Sequence, residues 1–471
     1  MSTTTRITAA DFTGSLVHPG DPDFEDARVG RVFNGRRPDR TPAAVLLAAT
    51  EEDVALGVRL ATQEGWAVSV RSGGHSWAVW SVRNGTLLID LGLLQNKGYD
   101  DETGIVWANP AVQGGAVLSP YLEERGRFFS GGHCPSVGIG GFLLQGGQGW
   151  CQRGWGWAAE SVVAIDMVNA AGELIRADST QNQDLYWAAR GAGPSFPGIV
   201  TRFHIQTNPI FKHLARTIQL FALEDFDELM AWLYTVHADI SENVEIVVIS
   251  KSMEPDEHGV VHRRLVLSGV ALTDSAEEGA QALAPFADNP ILDRALAVEH
   301  AAESTLKEQR VEQEAQNPEH ARYIVDNIWT SGEPAEVIKR INPLFTDLPS
   351  EQAFTIWFSN GIMRPLPDMA FSMQSEAYVA SYMVYEDATK DSEYRALLDR
   401  HMEYAQPITV GQYLGDSDQA HRQVKFMADE NYAKLQEIIA EHDPHGRFVR
   451  YMAKDPATMN RNHWDVKGVT S

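Results

Sequence analysis

From Thr41 to about Thr207, short apolar runs alternate with amphipathic segments. Ala43 to Ala49 and Ala67 to Arg71 read as short buried strands, and Glu51 to Glu64 between them carries helical spacing. Thr86 to Leu91 is another apolar run, entered from the turn Asn84-Gly85. Ser161 to Asn169 and Leu174 to Ala177 flank Ala170-Ala171-Gly172-Glu173, a hairpin signal. Ile199 to Ile205 sets Val200, Arg202 and His204 between apolar or small partners and predicts a sheet strand.

After Pro209 the texture changes. Strand-like runs (Ala215 to Phe221, Val244 to Ser250, His262 to Val270, Ala353 to Phe358, Tyr378 to Tyr385) alternate with long amphipathic helices such as Ser275 to Ala287. This predicts an α+β fold in which one large antiparallel sheet carries helices on one face. The tail from about Asp418 to Phe448 reads as helical, with Tyr432, Leu435, Ile438 and Ile439 on one face and Asp443-Pro444 as the stop. The pattern divides the chain at 1–210, 211–417 and 418–471. No internal repeat or low-complexity segment interrupts it.

Composition narrows the class. A chain of 471 residues exceeds one hydrophobic core. Its 39 basic and 64 acidic residues leave a net charge of −25, which repels phosphate polyanions and anionic membranes. No nucleic-acid partner and no membrane association are therefore expected. Cys134 and Cys151 are too few for a disulfide framework, and no CxxC pair suggests zinc. Met1-Ser-Thr-Thr-Thr-Arg lacks the apolar core of a secretory signal, and no run of about twenty apolar residues is present. An intracellular, cytoplasmic protein is expected, as a monomer or homodimer. Asn84-Gly85-Thr86 fits a glycosylation sequon but serves equally as a turn.

Two glycine-rich stretches carry the chemistry. Arg71-Ser72-Gly73-Gly74-His75-Ser76 follows a predicted strand, where successive N–H groups can cradle a pyrophosphate. It is not the GxGxxG fingerprint, because the spacing and the following helix differ. Taken alone, it is also compatible with a tight turn carrying a surface His. The second stretch runs from Gly131 to Gly141 and holds His133, Cys134, Pro135, Val137, Gly138 and Gly140, followed by Gly146, Gly147 and Gly149. Cys134 is readable as a small buried hydrophobe. It is readable equally as a thiol that amide dipoles push toward thiolate. Adjacent His133 and Cys134 diverge, so no metal site is expected. Cys151 lacks such a context and reads as structural.

Taken in order, these elements resemble the berberine bridge enzyme-like branch of the vanillyl-alcohol oxidase superfamily. Pro42 to Val70 looks like its strand-helix-strand lead-in, and Leu88-Ile89-Asp90-Leu91 like its apolar-Asp-Leu strand end. Asp184 to Gly193 and Phe196 to Thr201, which includes Val200, resemble the segment closing over the adenosine. Asn431-Tyr432 resembles a C-terminal element that contacts the flavin. The resemblance implies an FAD-binding part at 1–210, an inserted substrate domain at 211–417 and a C-terminal segment returning to the flavin. It implies FAD bound covalently through His75 and Cys134, with Arg71, Ser72 to Ser76 and the second loop around it.

The implied activity is that of an oxidase. The flavin takes a hydride from an alcohol or amine carbon of a small molecule and passes electrons to O2, giving hydrogen peroxide. A flavin-dependent dehydrogenase, an oxidative cyclase of a secondary metabolite and a non-catalytic flavin-binding protein are the alternatives. Substrate deprotonation requires a base within hydrogen-bond reach. Val410 to Asp416 resembles the strand that supplies it, making Tyr413 the first candidate, with Gln412, Asp416 and Tyr432 as further catalytic candidates. Tyr413 is also readable as a half-buried strand aromatic. In this family a small residue three positions after the linking cysteine accompanies oxidases, and that residue is Val137. Departures fall at Phe142, where the family carries His, and at Gln145, where it carries Gly. Secretion, common among fungal and plant relatives, is a further one.

Overall fold

A computed structural model describes residues 6–419 and 421–450; the remainder of the expected C-terminal segment, 451–471, lies outside the described residues. Strands Ala44–Leu47, Leu87–Asp90 and Val68–Arg71 pair in parallel, and Ser15–Val17 adds antiparallel to the first. Most of their apolar side chains, among them Val45, Leu46, Val68, Leu87, Leu88 and Ile89, are buried, as expected for strands covered on both faces. Helix Glu51–Glu64 connects two of them. Thr50 caps it by accepting from the Asp53 N–H, and Gly65 ends it with φ at 71°.

A second sheet, antiparallel, places Ile199–Gln206 between Ile105–Ala108 and Val162–Val168, with the predicted hairpin partner Leu174–Asp178 at one edge. Third comes an eight-stranded antiparallel sheet. Its spatial order is Ala297–Ser304, His213–Phe221, Arg263–Thr273, Val244–Ser252, Phe354–Ser359, Ala377–Tyr385, Arg322–Thr330 and Thr409–Gly411. Alternation sorts its residues by face. Ile246, Val248, Leu265, Leu267, Trp357, Val379 and Met383 share a core with helices Phe226–Val236, Ala276–Leu283, Pro334–Thr346 and Asp391–Ala405. Their neighbours in sequence face the other way, across a cleft toward the two smaller sheets.

Three expectations change. Strand Arg322–Thr330 lacks a clean apolar run because Asp326 and Asn327 sit at its middle, buried and fully engaged. Helix 276–283 yields to a 3-10 turn at Ala284–Asp288, since Pro285 offers no N–H. The tail is helical only over Asp429–His442. Before it, the Lys425 carbonyl accepts from the Gln412 N–H at 2.8 Å instead of continuing a helix. Arg422 turns inward onto the Asp326 carboxylate and the Asn327 carbonyl, the latter at 2.7 Å. After the helix the chain returns to the first sheet, where the Val449 N–H donates to the Val68 carbonyl at 2.9 Å.

One buried cluster fixes the end of the first sheet. The Asp90 carboxylate receives both Arg71 and Arg31, and accepts from the Gly92 N–H at 2.6 Å. Arg71 also donates to the carbonyls of Ala27 and Arg28, and Arg31 to that of Ser72 at 2.7 Å. No helix among the described residues is long and apolar enough to cross a membrane. Asp90→Ala leaves two guanidinium groups without their carboxylate, and a broken buried pair costs about 3–5 kcal/mol. Denaturant unfolding should show a free energy of unfolding lowered by that amount and a correspondingly lower midpoint; an unchanged midpoint would mean that the cluster contributes nothing.

Candidate active site

The two glycine-rich loops meet backbone to backbone. A Cβ on Gly73 would lie 2.6 Å from the Gly138 nitrogen, and one on Gly138 would lie 2.8 Å from the Gly73 Cα. Gly74 adopts φ of 81°, a conformation side-chain-bearing residues seldom take. This contact delivers both candidate nucleophiles to one hydroxyl. Ser136 Oγ stands 3.0 Å from His75 Nε2 and 3.6 Å from Cys134 Sγ.

The His75 ring stacks on Phe33 with centroids 4.3 Å apart. Burial pushes its pKa down to about 4 against the opposing Ser136 backbone, so the imidazole is neutral at physiological pH. For Cys134 the expectation is corrected. Burial raises the thiol, with Glu314 and Asp416 adding to it, and the hydrogen bonds of Ser136 only partly compensate. The loop alone therefore does not produce a thiolate. Cys151 is buried, and burial pushes its thiol up to about 12, which suits the structural reading.

Most of the expected cofactor residues line one large cleft: Arg71 to Ser76 throughout, Cys134, Val137, Gly138, Gly140, Gly141 and Val200. The Arg71 guanidinium is nevertheless turned onto Asp90. Several others stand behind the wall. Pro135 packs on Gly115, and its carbonyl accepts from the Ala116 N–H at 2.9 Å. Gly146, Gly147 and Gly149 face protein, where a Cβ would strike Phe371, Ala158 and the Ser130 carbonyl respectively. Between them Gln145, Gln148 and Trp150 reach the cleft. Asn431 donates to the Met369 carbonyl at 2.9 Å and Tyr432 packs on the core beneath, so neither lines the cleft. The C-terminal residues that do so are Phe448 and Val449.

This wall fits an elongated dinucleotide such as FAD. Its glycines leave a cradle that side chains at 73 or 138 would fill. The Gln148 side-chain nitrogen is buried without a protein acceptor, a donor left for a bound molecule.

The opposite wall is the free face of the large sheet. Val247, Ile249, Val270, Ile356 and Phe358 make it apolar, and Gln309, Gln313, Gln316 and Asn317 fringe it from helix Leu306–Gln316 and its C-cap. Glu245 on this face accepts from His133 across the cleft, Nε2 to Oε1 at 2.8 Å. At one end Asp416 accepts from Trp77 Nε1 at 3.0 Å and from the Tyr378 hydroxyl at 2.6 Å. Burial and Asp416 raise the phenols of Tyr378, Tyr382 and Tyr413 above their usual value. Tyr413 is therefore held in its protonated form, and its oxygen accepts from the Gln148 N–H at 3.1 Å. Gln412 does not reach the cleft. It is bound to Asp326 and accepts from Gln419 at 2.6 Å. Asn327 holds the segment by donating to the carbonyls of Tyr413 and Asp416 at 2.8 and 2.9 Å.

Sequence reasoning missed Trp77, Glu245, Tyr378, Tyr382 and the glutamines. Period-two alternation marks two faces on each strand but not which one meets the cleft. The Gln309, Gln313, Gln316 spacing was a legible helical stripe.

Comparisons with known proteins agree with this geometry. A family model described as an FAD binding domain matches residues 42–178. The chain is 34% identical over 444 residues to the FAD-linked oxidoreductase nodO of Hypoxylon pulicicidum, covering 93% of this chain and 96% of that one. It is 33% identical over 239 residues to the xylooligosaccharide oxidase of Thermothelomyces thermophilus, 49% of this chain and 47% of the other. Among solved structures, BBE-like 1 of Physcomitrella patens superposes with a TM-score of 0.81 at 18% identity, covering 97% of this chain and 98% of that one.

Gly73→Ala forces a methyl group against the Gly138 backbone, an overpacking cost of about 1–3 kcal/mol. The purified variant should carry less flavin per protein in its visible absorbance. Full flavin content would show that the loops can separate without loss.

Proposed function

The chain belongs to the FAD-linked oxidoreductases, and on that premise we propose a berberine bridge enzyme-like oxidase whose FAD is tethered at both His75 and Cys134. The observation that carries this reading is the convergence of the two nucleophiles on Ser136, at 3.0 and 3.6 Å, inside the glycine cradle. A neutral imidazole supplies the lone pair that one tether requires. Bound in this cradle by the two glycine-rich loops, FAD would supply hydride acceptance from the substrate carbon and electron transfer to O2, with hydrogen peroxide as product.

Asp416 receives the proton of the substrate hydroxyl or amine. Tyr378 and Trp77 orient its carboxylate by donating to separate oxygens. Tyr382 and Tyr413, kept protonated, offer hydrogen bonds to the substrate heteroatom. The apolar sheet face with its amide fringe suits an uncharged, mainly apolar alcohol or amine, and excludes bulk water around the reacting carbon. Val137 lines the same cleft and leaves more room than Leu for a diatomic oxidant.

Acid precipitation tests the tethers. The yellow colour should stay in the pellet, and intact mass should exceed the apoprotein by one FAD. Cys134→Ala should keep a single link at His75. Release of all flavin by acid would leave a tightly but non-covalently bound cofactor.

Oxygen reactivity tests the oxidase reading. Reduced wild-type protein should reoxidise rapidly in air-saturated buffer, and peroxide should appear with a panel of neutral alcohols and amines. Val137→Leu should slow reoxidation while sparing flavin reduction in stopped-flow traces. Slow reoxidation of the wild type would favour the dehydrogenase alternative.

A further inference from the structure

Cys134 presents a chemical difficulty that its surroundings resolve. A thiol must lose its proton to bond to the flavin ring. Burial opposes that loss, and the carboxylates facing Cys134, Glu314 and Asp416, oppose it further. Tyr323, whose phenol is itself raised by burial and by the charge of Cys134, offers no help. The neighbouring imidazole, His133, is engaged with Glu245 at 2.8 Å. Only one chain of hydrogen bonds leads from the sulfur to a basic nitrogen among the described residues, through Ser136 Oγ to His75 Nε2.

We propose that Ser136 relays the Cys134 proton to Nε2 of His75, so that the imidazole which carries one tether serves as the base that forms the other. This rests on the reading of FAD tethered at two points. Ser136 accepts the thiol proton as its own hydroxyl proton passes to Nε2. With Nε2 given to Ser136, the carbon tether of His75 falls to Nδ1, and a ring substituted there keeps the Nε2 lone pair that the relay needs. Burial disfavours the imidazolium, so the ring takes the proton only as the S–C bond forms and then releases it to solvent.

Overall, Cys–SH and one ring C–H of FAD react with O2 to give Cys–S–C and H2O2. The S–H and C–H bonds break and the S–C bond forms. O2 takes the two electrons and, by way of solvent, the two protons. Ser136 and His75 end as they began.

The test measures linkage rather than turnover. Wild-type, Ser136→Ala and Ser136→Thr holoproteins are purified at neutral pH and digested, and the flavopeptides are weighed by mass spectrometry. Positioned proton transfer contributes roughly 10²–10⁴-fold to rate. Ser136→Ala should therefore show Cys134-linked flavin reduced at least about tenfold, with the His75 link intact as the sign of a folded site. Ser136→Thr, which keeps the hydroxyl, should match the wild type. Incubating Ser136→Ala in air over a series of alkaline pH values, starting about one unit above the ordinary cysteine value of roughly 8.5 because burial raises Cys134 further, should restore the sulfur link, because hydroxide replaces the relay. Wild-type levels of sulfur linkage in Ser136→Ala at neutral pH would overturn the relay. So would a loss that alkali does not mend, since Ser136 would then only shape the loop. A wild type without any Cys134 link would instead overturn the two-tether reading itself, which separates the two failures.

Discussion

The contact between Gly73 and Gly138 leaves no space for a side chain on either loop, and the geometry of the cleft depends on it. The loops arise from different elements, one following strand Val68–Arg71 and the other preceding helix Ile139–Leu144. Backbone contact fixes their separation more rigidly than side-chain packing does, because no rotamer can adjust. Asp90 secures the approach by holding Arg71 at the strand end and Arg31, which in turn grips the Ser72 carbonyl. His75 lies two residues past one contact and Cys134 four before the other, so both arrive at the same hydroxyl.

Burial then sets the chemistry of what the loops present. It favours the uncharged form of every group it encloses, and the two nucleophiles respond in opposite ways. For His75 neutrality is the reactive state. For Cys134 it is the unreactive one. In the proposed relay, an imidazole nitrogen one hydroxyl away from the buried thiol reconciles the two. Across the cleft the same logic keeps three phenols as donors around a single carboxylate, Asp416.

Much of this was legible in the sequence. Strand and helix periods located helix Glu51–Glu64, the hairpin after Val168 and most strands of the large sheet. Glycine density located both loops, because few other functions need so many residues without side chains. What stayed hidden has physical causes. Asp326 and Asn327 disguise a buried strand, since their polar groups are satisfied by Gln412, Arg422 and the backbone of residues 413–416. Asn431 and Tyr432 look ligand-facing but support a core, and among the described residues the segment after them reaches the cleft at Phe448 and Val449. Gly146, Gly147 and Gly149 are small because protein, not ligand, crowds them. The pairing of His133 with Glu245 joins residues far apart in sequence, and nothing local announces it.

The two faces of the large sheet carry separate duties, and this separation bears on how such an enzyme changes over time. Residues on the helix side hold the domain together, while Val247, Ile249 and Ile356 alternate with them and face the cleft; Phe358 beside them is buried in a second apolar cluster. Selection can therefore rewrite the wall one position at a time without disturbing the core beneath it or the loops opposite. A library confined to Val247, Ile249 and Ile356 would explore new substrates at little risk to the scaffold, making this face the natural starting material for directed evolution.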